Sequence, residues 1–122
     1  MSTLRESIFS CERKQVEVDL SDFANTPGAK GTMVELTLGD RERMESAIGK
    51  SKDNNLVRAA YIVFCLHEDN ENGELMRVFQ DDDVERVSEL PWMKLHPLYE
   101  KALMACRIID DSETVESDEQ KN

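Results

Sequence analysis

Residues 56–66 read Leu-Val-Arg-Ala-Ala-Tyr-Ile-Val-Phe-Cys-Leu, an apolar run interrupted only by Arg58. In a chain with 34% charged and 39% hydrophobic residues, such a run has to lie at the centre of whatever core forms. The rest of the molecule must be arranged to cover it. Periodicity does not separate a buried strand from a buried helix in so short an apolar run. The β-branched and aromatic group Tyr61-Ile-Val-Phe64 favours a strand, and a strand is the expectation here.

The flanking segments carry clearer signals. Gln15-Val-Glu-Val-Asp-Leu20 alternates apolar and polar residues, the period of a half-buried strand. Residues 32–38 alternate again, with Val34, Leu36 and Leu38 on one face, and the loop-rich stretch 25–31 between them predicts a hairpin with a long connection. A helix is expected over 40–48, with Asp40 as N-cap, Met44, Ala47 and Ile48 on one face and Gly49 as its stop. A polar linker, 50–55, follows. Residues 68–73 read as a turn with Gly73 at positive φ, and 75–79 as the strand returning from it to pair with the apolar run. Gln80-Asp-Asp-Asp83 caps a helix bearing Val84, Val87 and Leu90, which Pro91 ends. Pro97 suits the first turn of a last helix striped by Leu98, Ala102, Ala105 and Ile109. Strands, helix, hairpin and then helices, without a βαβ repeat, define an α+β fold.

The search for reactive chemistry yields bland readings. Placing Gly73 at the sixth position of an EF-hand loop aligns Glu68, Asn70 and Asn72 with ligand positions. The twelfth position is then Phe79, where a bidentate glutamate is needed, so a polar turn explains the same residues. His67 and His96 belong to no cluster with zinc spacing, and Cys65 and Cys106 fall on apolar segments as small core residues. Asp81-Asp-Asp83 has the form of a helix cap that complements the helix dipole. No phosphate-cradling glycine loop and no nucleophile elbow is present. Catalytic residues, metal ligands and cofactors are therefore all expected to be none.

Twenty-six acids against fifteen bases give a formal charge of −11, which repels nucleic acid and anionic membranes. No stretch reaches the roughly 18 apolar residues of a membrane span. Three widely spaced cysteines argue against a disulfide framework and for a reducing, cytosolic compartment. The charge is concentrated in 68–89, with nine acids and two bases, and in 110–122, with six acids and one base. The latter has almost no apolar residue beyond Val115 and reads as a disordered tail. Trp92 and Met93, between two prolines, suit either a partner anchor or a core plug.

Two stretches together carry a family resemblance. One is Val34-Glu-Leu-Thr-Leu-Gly-Asp-Arg-Glu-Arg-Met-Glu-Ser-Ala-Ile48. The other is Ala59-Ala-Tyr-Ile-Val-Phe-Cys-Leu-His-Glu-Asp-Asn-Glu-Asn-Gly73 followed by Val78-Phe-Gln-Asp-Asp-Asp-Val84. In this order and spacing, over residues 13–109, the chain resembles the tail assembly chaperones of long, non-contractile-tailed bacteriophages (siphophages). Its six-residue turn and its two prolines, Pro91 and Pro97, depart from that pattern. The resemblance implies a non-enzymatic protein that binds the tape-measure protein, keeps it soluble and recruits tail-tube subunits. It also implies action in the host cytoplasm and absence from the mature virion. A frameshifted longer form is common in the family.

The resulting expectation is a small single α+β domain, 13–109, with N-terminal strands, a central β-hairpin and C-terminal helices. A flexible N-terminus, 1–12, and a disordered acidic tail, 110–122, flank it. The partners are the tape-measure and tail-tube proteins, with self-association a further candidate, and neither nucleic acid nor membrane. The candidate partner-binding residues are Leu90, Trp92, Met93, Leu95, Leu98, Tyr99 and Met104. An acidic nucleic-acid-mimicking inhibitor, motivated by the charge of 68–89, and a small structural tail component retained in the virion are the alternatives.

Overall fold

The computed structural model describes residues 3–49 and 53–109. The expected acidic tail, 110–122, and part of the expected linker, 50–52, lie outside the described residues. The fold is α+β: a four-stranded antiparallel sheet in the order β1-β2-β3-β4, with helices over one face.

β1 (Gln15–Asp19) and β2 (Lys30–Val34) pair as a hairpin, from Gln15 opposite Val34 to Asp19 opposite Lys30. The long connection expected between them holds a single helical turn, α2 (Ser21–Ala24). Val16 and Val18 face the helices while Gln15, Glu17 and Asp19 face solvent, as strand alternation requires. Gly31, the second residue of β2, sits where the packing is close. A Cβ there would lie 2.9 Å from both Leu20 Cδ1 and Leu66 Cδ1 and 3.2 Å from the His67 carbonyl.

β2 ends four residues short of the expected strand, because Thr37 starts a helix. α3 (Leu38–Ile48) opens on a capping box in which the Thr37 hydroxyl accepts from the Asp40 N–H and the Asp40 carboxylate accepts from the Thr37 N–H. Asp40 is thus the third residue of the helix and not its cap, and Leu38 is exposed on the first turn. Gly49 closes α3 at φ 72°, as expected.

The apolar run is the largest correction. It forms α4 (Asn54–Cys65), capped by the Asp53 side chain on the Asn55 N–H, and only Leu66 belongs to a strand. Ala59, Ala60, Ile62, Val63, Phe64 and Cys65 are all buried. The helix is enclosed by α3, α5, α6 and the sheet, and burial on so many sides overrides the intrinsic strand preference of Tyr61 to Phe64. α4 runs directly into β3 (Leu66–Asp69), which pairs with β2 through Leu66 opposite Met33 and with β4 (Leu75–Arg77) through His67 opposite Arg77. The hairpin between β3 and β4 turns at Gly73, φ 78°. The Asn70 Oδ1 accepts from the Asn72 and Glu74 N–H groups at 2.8 and 2.9 Å. That oxygen, a candidate calcium ligand in the sequence, is committed to the turn.

After a 3-10 turn (Asp81–Asp83), α5 (Val84–Ser88) buries Val84 and Val87 but stops before Leu90. α6 (Trp92–Ala105) begins six residues earlier than Leu98, with Pro91 as its N-cap, so that Pro97 lies inside the helix and not in its first turn. Leu98, Ala102 and Ala105 are buried as the expected stripe, while Ile109 lies beyond the end of α6. A Schellman closure ends that helix: Arg107 at φ 62° donates to the Met104 carbonyl, and Ile108 to that of Leu103. At the other end of the chain, where a flexible segment was expected, Leu4–Phe9 form α1, capped by Thr3 and exposed at every residue.

Candidate protein-docking groove

Trp92, Leu95, His96 and Tyr99 recur at the spacing of one helical face and form one wall of a groove on α6. The opposite wall is Asn55, Arg58, Ala59 and Ile62 of α4, again at helical spacing, and Ser88 and Leu90 close one end. The groove has a volume of about 220 Å³. α4 and α6 lie side by side and run in the same direction, since Arg58, Tyr61 and Cys65 meet Tyr99 and Cys106 in order along both helices.

The lining is pre-ordered by ring and charge contacts. The Arg58 guanidinium carbon stands 5.9 Å from the Tyr99 ring centroid, and the Tyr61 ring meets Tyr99 edge-on at 6.1 Å. His96 lies 5.5 Å from Trp92, ring to ring, and its Nε2 is 3.0 Å from the Glu100 carboxylate one turn on. Partial burial pushes the Tyr61 hydroxyl's pKa above its ordinary value, so it stays protonated. Trp92 is 64% exposed despite being the chain's single tryptophan. A large aromatic left in water at the rim of an apolar groove is the arrangement found at protein-binding hot spots.

The structure divides the seven residues named from sequence. Leu90, Trp92, Leu95 and Tyr99 converge on the groove. Met93 is 72% exposed but lies around the helix, over a shallow depression shared with Phe23, Pro97 and Leu98. Lys94 anchors this side by donating from Nζ to the Asp22 carbonyl at 2.9 Å. Leu98 and Met104, at 4% and 5% exposure, are interior residues that present little surface and lie outside the groove. Sequence reasoning missed the whole α4 wall, because 56–66 was read as a strand. The signal was present in Asn55, Arg58, Ala59 and Ile62, which share a face only if the segment is helical.

Among the described residues no cluster of His, Cys, Asp and Glu is arranged to hold a metal ion. No helix among them is long and apolar enough to cross a membrane. Fold and groove together define a small α+β protein with a preformed apolar cleft between two parallel helices. No protein-family model, curated protein or solved structure matches the chain.

Proposed function

We propose that this chain is a phage tail assembly chaperone that acts without catalysis, holding an apolar helical segment of the tape-measure protein in the α4–α6 groove. The reading has two supports. The sequence resemblance supplies the partner, and the exposed Trp92 beside Leu90, Leu95 and Tyr99 supplies a place for it. A tape-measure protein is long, helical and striped with apolar residues, so it self-associates unless those stripes are covered. A groove of this size takes one or two side chains of such a stripe, and weak contacts repeated along one long chain add up through multivalency. The charge of −11 keeps the loaded complex dispersed. On this proposal the protein works in the host cytoplasm, brings tail-tube subunits to the tape-measure chain, and is absent from the finished virion. The nucleic-acid-mimic reading has less support, because the Asp81 carboxylate is paired with Arg77 and that of Asp83 with the Gln80 N–H.

Co-expression with the tape-measure protein of the same phage tests the proposal. The two chains are expected to co-purify, with a gain in soluble tape-measure protein. Trp92→Ala is expected to weaken the complex about tenfold or more while leaving the thermal midpoint nearly unchanged. Absence of both complex and solubility gain overturns the proposal.

A further inference from the structure

Cys65 and Cys106 are 41 positions apart in the chain, yet their sulfur atoms lie 3.6 Å from each other. Both are free thiols, as is the exposed Cys11. Cys65 ends α4 and is fully buried, whereas Cys106 is the C-cap of α6 and is partly open to solvent. A disulfide needs its sulfurs at about 2.05 Å, so closure asks for an approach of roughly 1.5 Å. Cys106 sits in the closing turn of α6, so the adjustment falls on that turn and on the rotamers of the two thiols.

We propose that Cys65 and Cys106 are a reversible dithiol–disulfide pair that staples the C-terminal ends of the parallel helices α4 and α6, oxidised by exchange with a low-molecular-weight disulfide of the glutathione type.

The two cysteines have different roles in the exchange. Cys106 is the entry thiol because, of the pair, it is the one partly open to solvent. The neighbouring Cys65 thiol, with the backbone of Leu36, lowers its pKa below the ordinary thiol value, against the opposing effects of burial and Glu35 and with Arg41 assisting. The same contact and complete burial push the Cys65 thiol up, so it remains protonated until the second step. In the first step the Cys106 thiolate, its proton given to solvent, attacks one sulfur of the reagent. A Cys106–S–S–R bond forms, the reagent's S–S bond breaks, and RS⁻ departs and takes up a proton. In the second, Cys65 gives up its proton and attacks the Cys106 sulfur, forming the protein disulfide and expelling the second RS⁻, which is protonated in turn. Two cysteine thiols are oxidised, one reagent disulfide is reduced to two thiols, and protons and electrons balance. In a reducing cytosol the dithiol is the resting form, and a disulfide there is transient.

The test is intact-mass analysis of the full chain carrying Cys11→Ser, which removes the exposed thiol, during titration with oxidised glutathione. The expected product has lost both free thiols, retains no glutathione, and recovers them on adding dithiothreitol. Closure in the native protein should outpace closure in the urea-unfolded chain about tenfold or more, since the fold holds the sulfurs together. The oxidised form should unfold at a higher temperature by several degrees. Adding Cys65→Ala should stop the reaction at one glutathione bound to Cys106. A Cys11→Ser protein that keeps both thiols free, that ends as a stable glutathione adduct, or that closes no faster folded than unfolded overturns the proposal. None of these readouts involves the tape-measure protein, so failure here is distinct from failure of the proposed function.

Discussion

Arg77 joins three elements through one guanidinium. Its Nη1 meets the Asp81 carboxylate at 2.6 Å, its Nη2 donates to the Val63 carbonyl at 3.1 Å, and its Cζ lies 4.4 Å from the centre of the Phe64 ring. The Val63 carbonyl lies in the last turn of α4, where backbone acceptors have no partner within the helix, and a cation is favoured at that pole. The Cys65 carbonyl is met by the His67 ring at 2.8 Å, with Nδ1 as donor. Arg77→Ala removes a charge-assisted bond and a ring contact from a mostly buried site, and an expected loss of about 2–3 kcal/mol is measurable by urea unfolding. Arg77→Met, which keeps the apolar stem against Phe64, should recover part of it.

At the scale of elements, what the sequence made legible was local chemistry. Gly49 and Gly73 stop or turn the chain at positive φ where expected, β1 alternates as read, and Val84 and Val87 are buried at helical spacing. Where the outcome was decided by distant contacts, the reading failed. The run 56–66 has strand-forming residues, and it is a helix because three helices and a sheet cover it. Cys65 and Cys106 were separated by 41 positions of chain whose path depended on that same segment. The groove was half visible, since the α6 face follows from spacing, whereas its facing wall required α4 to be a helix. The N-cap of α3 lies three residues before the expected one because Thr37 and Asp40 cap each other, and Asp40 also meets Arg13 at 3.0 Å. Asp40→Ala breaks the capping box and removes the carboxylate partner of both Arg13 and Arg43, leaving Arg13 its bond to the Glu35 carbonyl. A stability loss of about 1–2 kcal/mol is expected in chemical denaturation.

Across the whole molecule, net charge and titration set the conditions for stability. Burial pushes the Asp40 pKa up, but the Thr37 backbone and hydroxyl, Arg43 and Arg13 outweigh it, and the value is lowered from 3.8. Glu35 is lowered from 4.5, chiefly by the Lys14 N–H, and Asp19 from 3.8, chiefly by the Ser21 N–H. For each, the unfolded chain binds protons more readily than the folded one. Their contribution is complete above these ordinary values and is lost as pH falls through the folded-state values. His67 acts in the same direction, since burial lowers its pKa from 6.5 and protonation favours the unfolded chain. Thermal midpoints are therefore expected to fall in two stages on acidification, first below pH 6.5 and then below pH 4.5, with His67→Gln removing the first.

The seamless passage from α4 into β3 has a mechanical consequence. With no loop at Cys65–Leu66, and with the last carbonyls of α4 met by Arg77 and His67, that helix is tied directly to the sheet. One wall of the cleft is therefore anchored to the sheet. α6 enters through Pro91, carries an internal proline and packs on β1 and β2, so the second wall is seated on the same sheet. On the proposed function, the side chains that first meet an incoming segment at this end of the cleft are Leu90, Trp92 and Leu95.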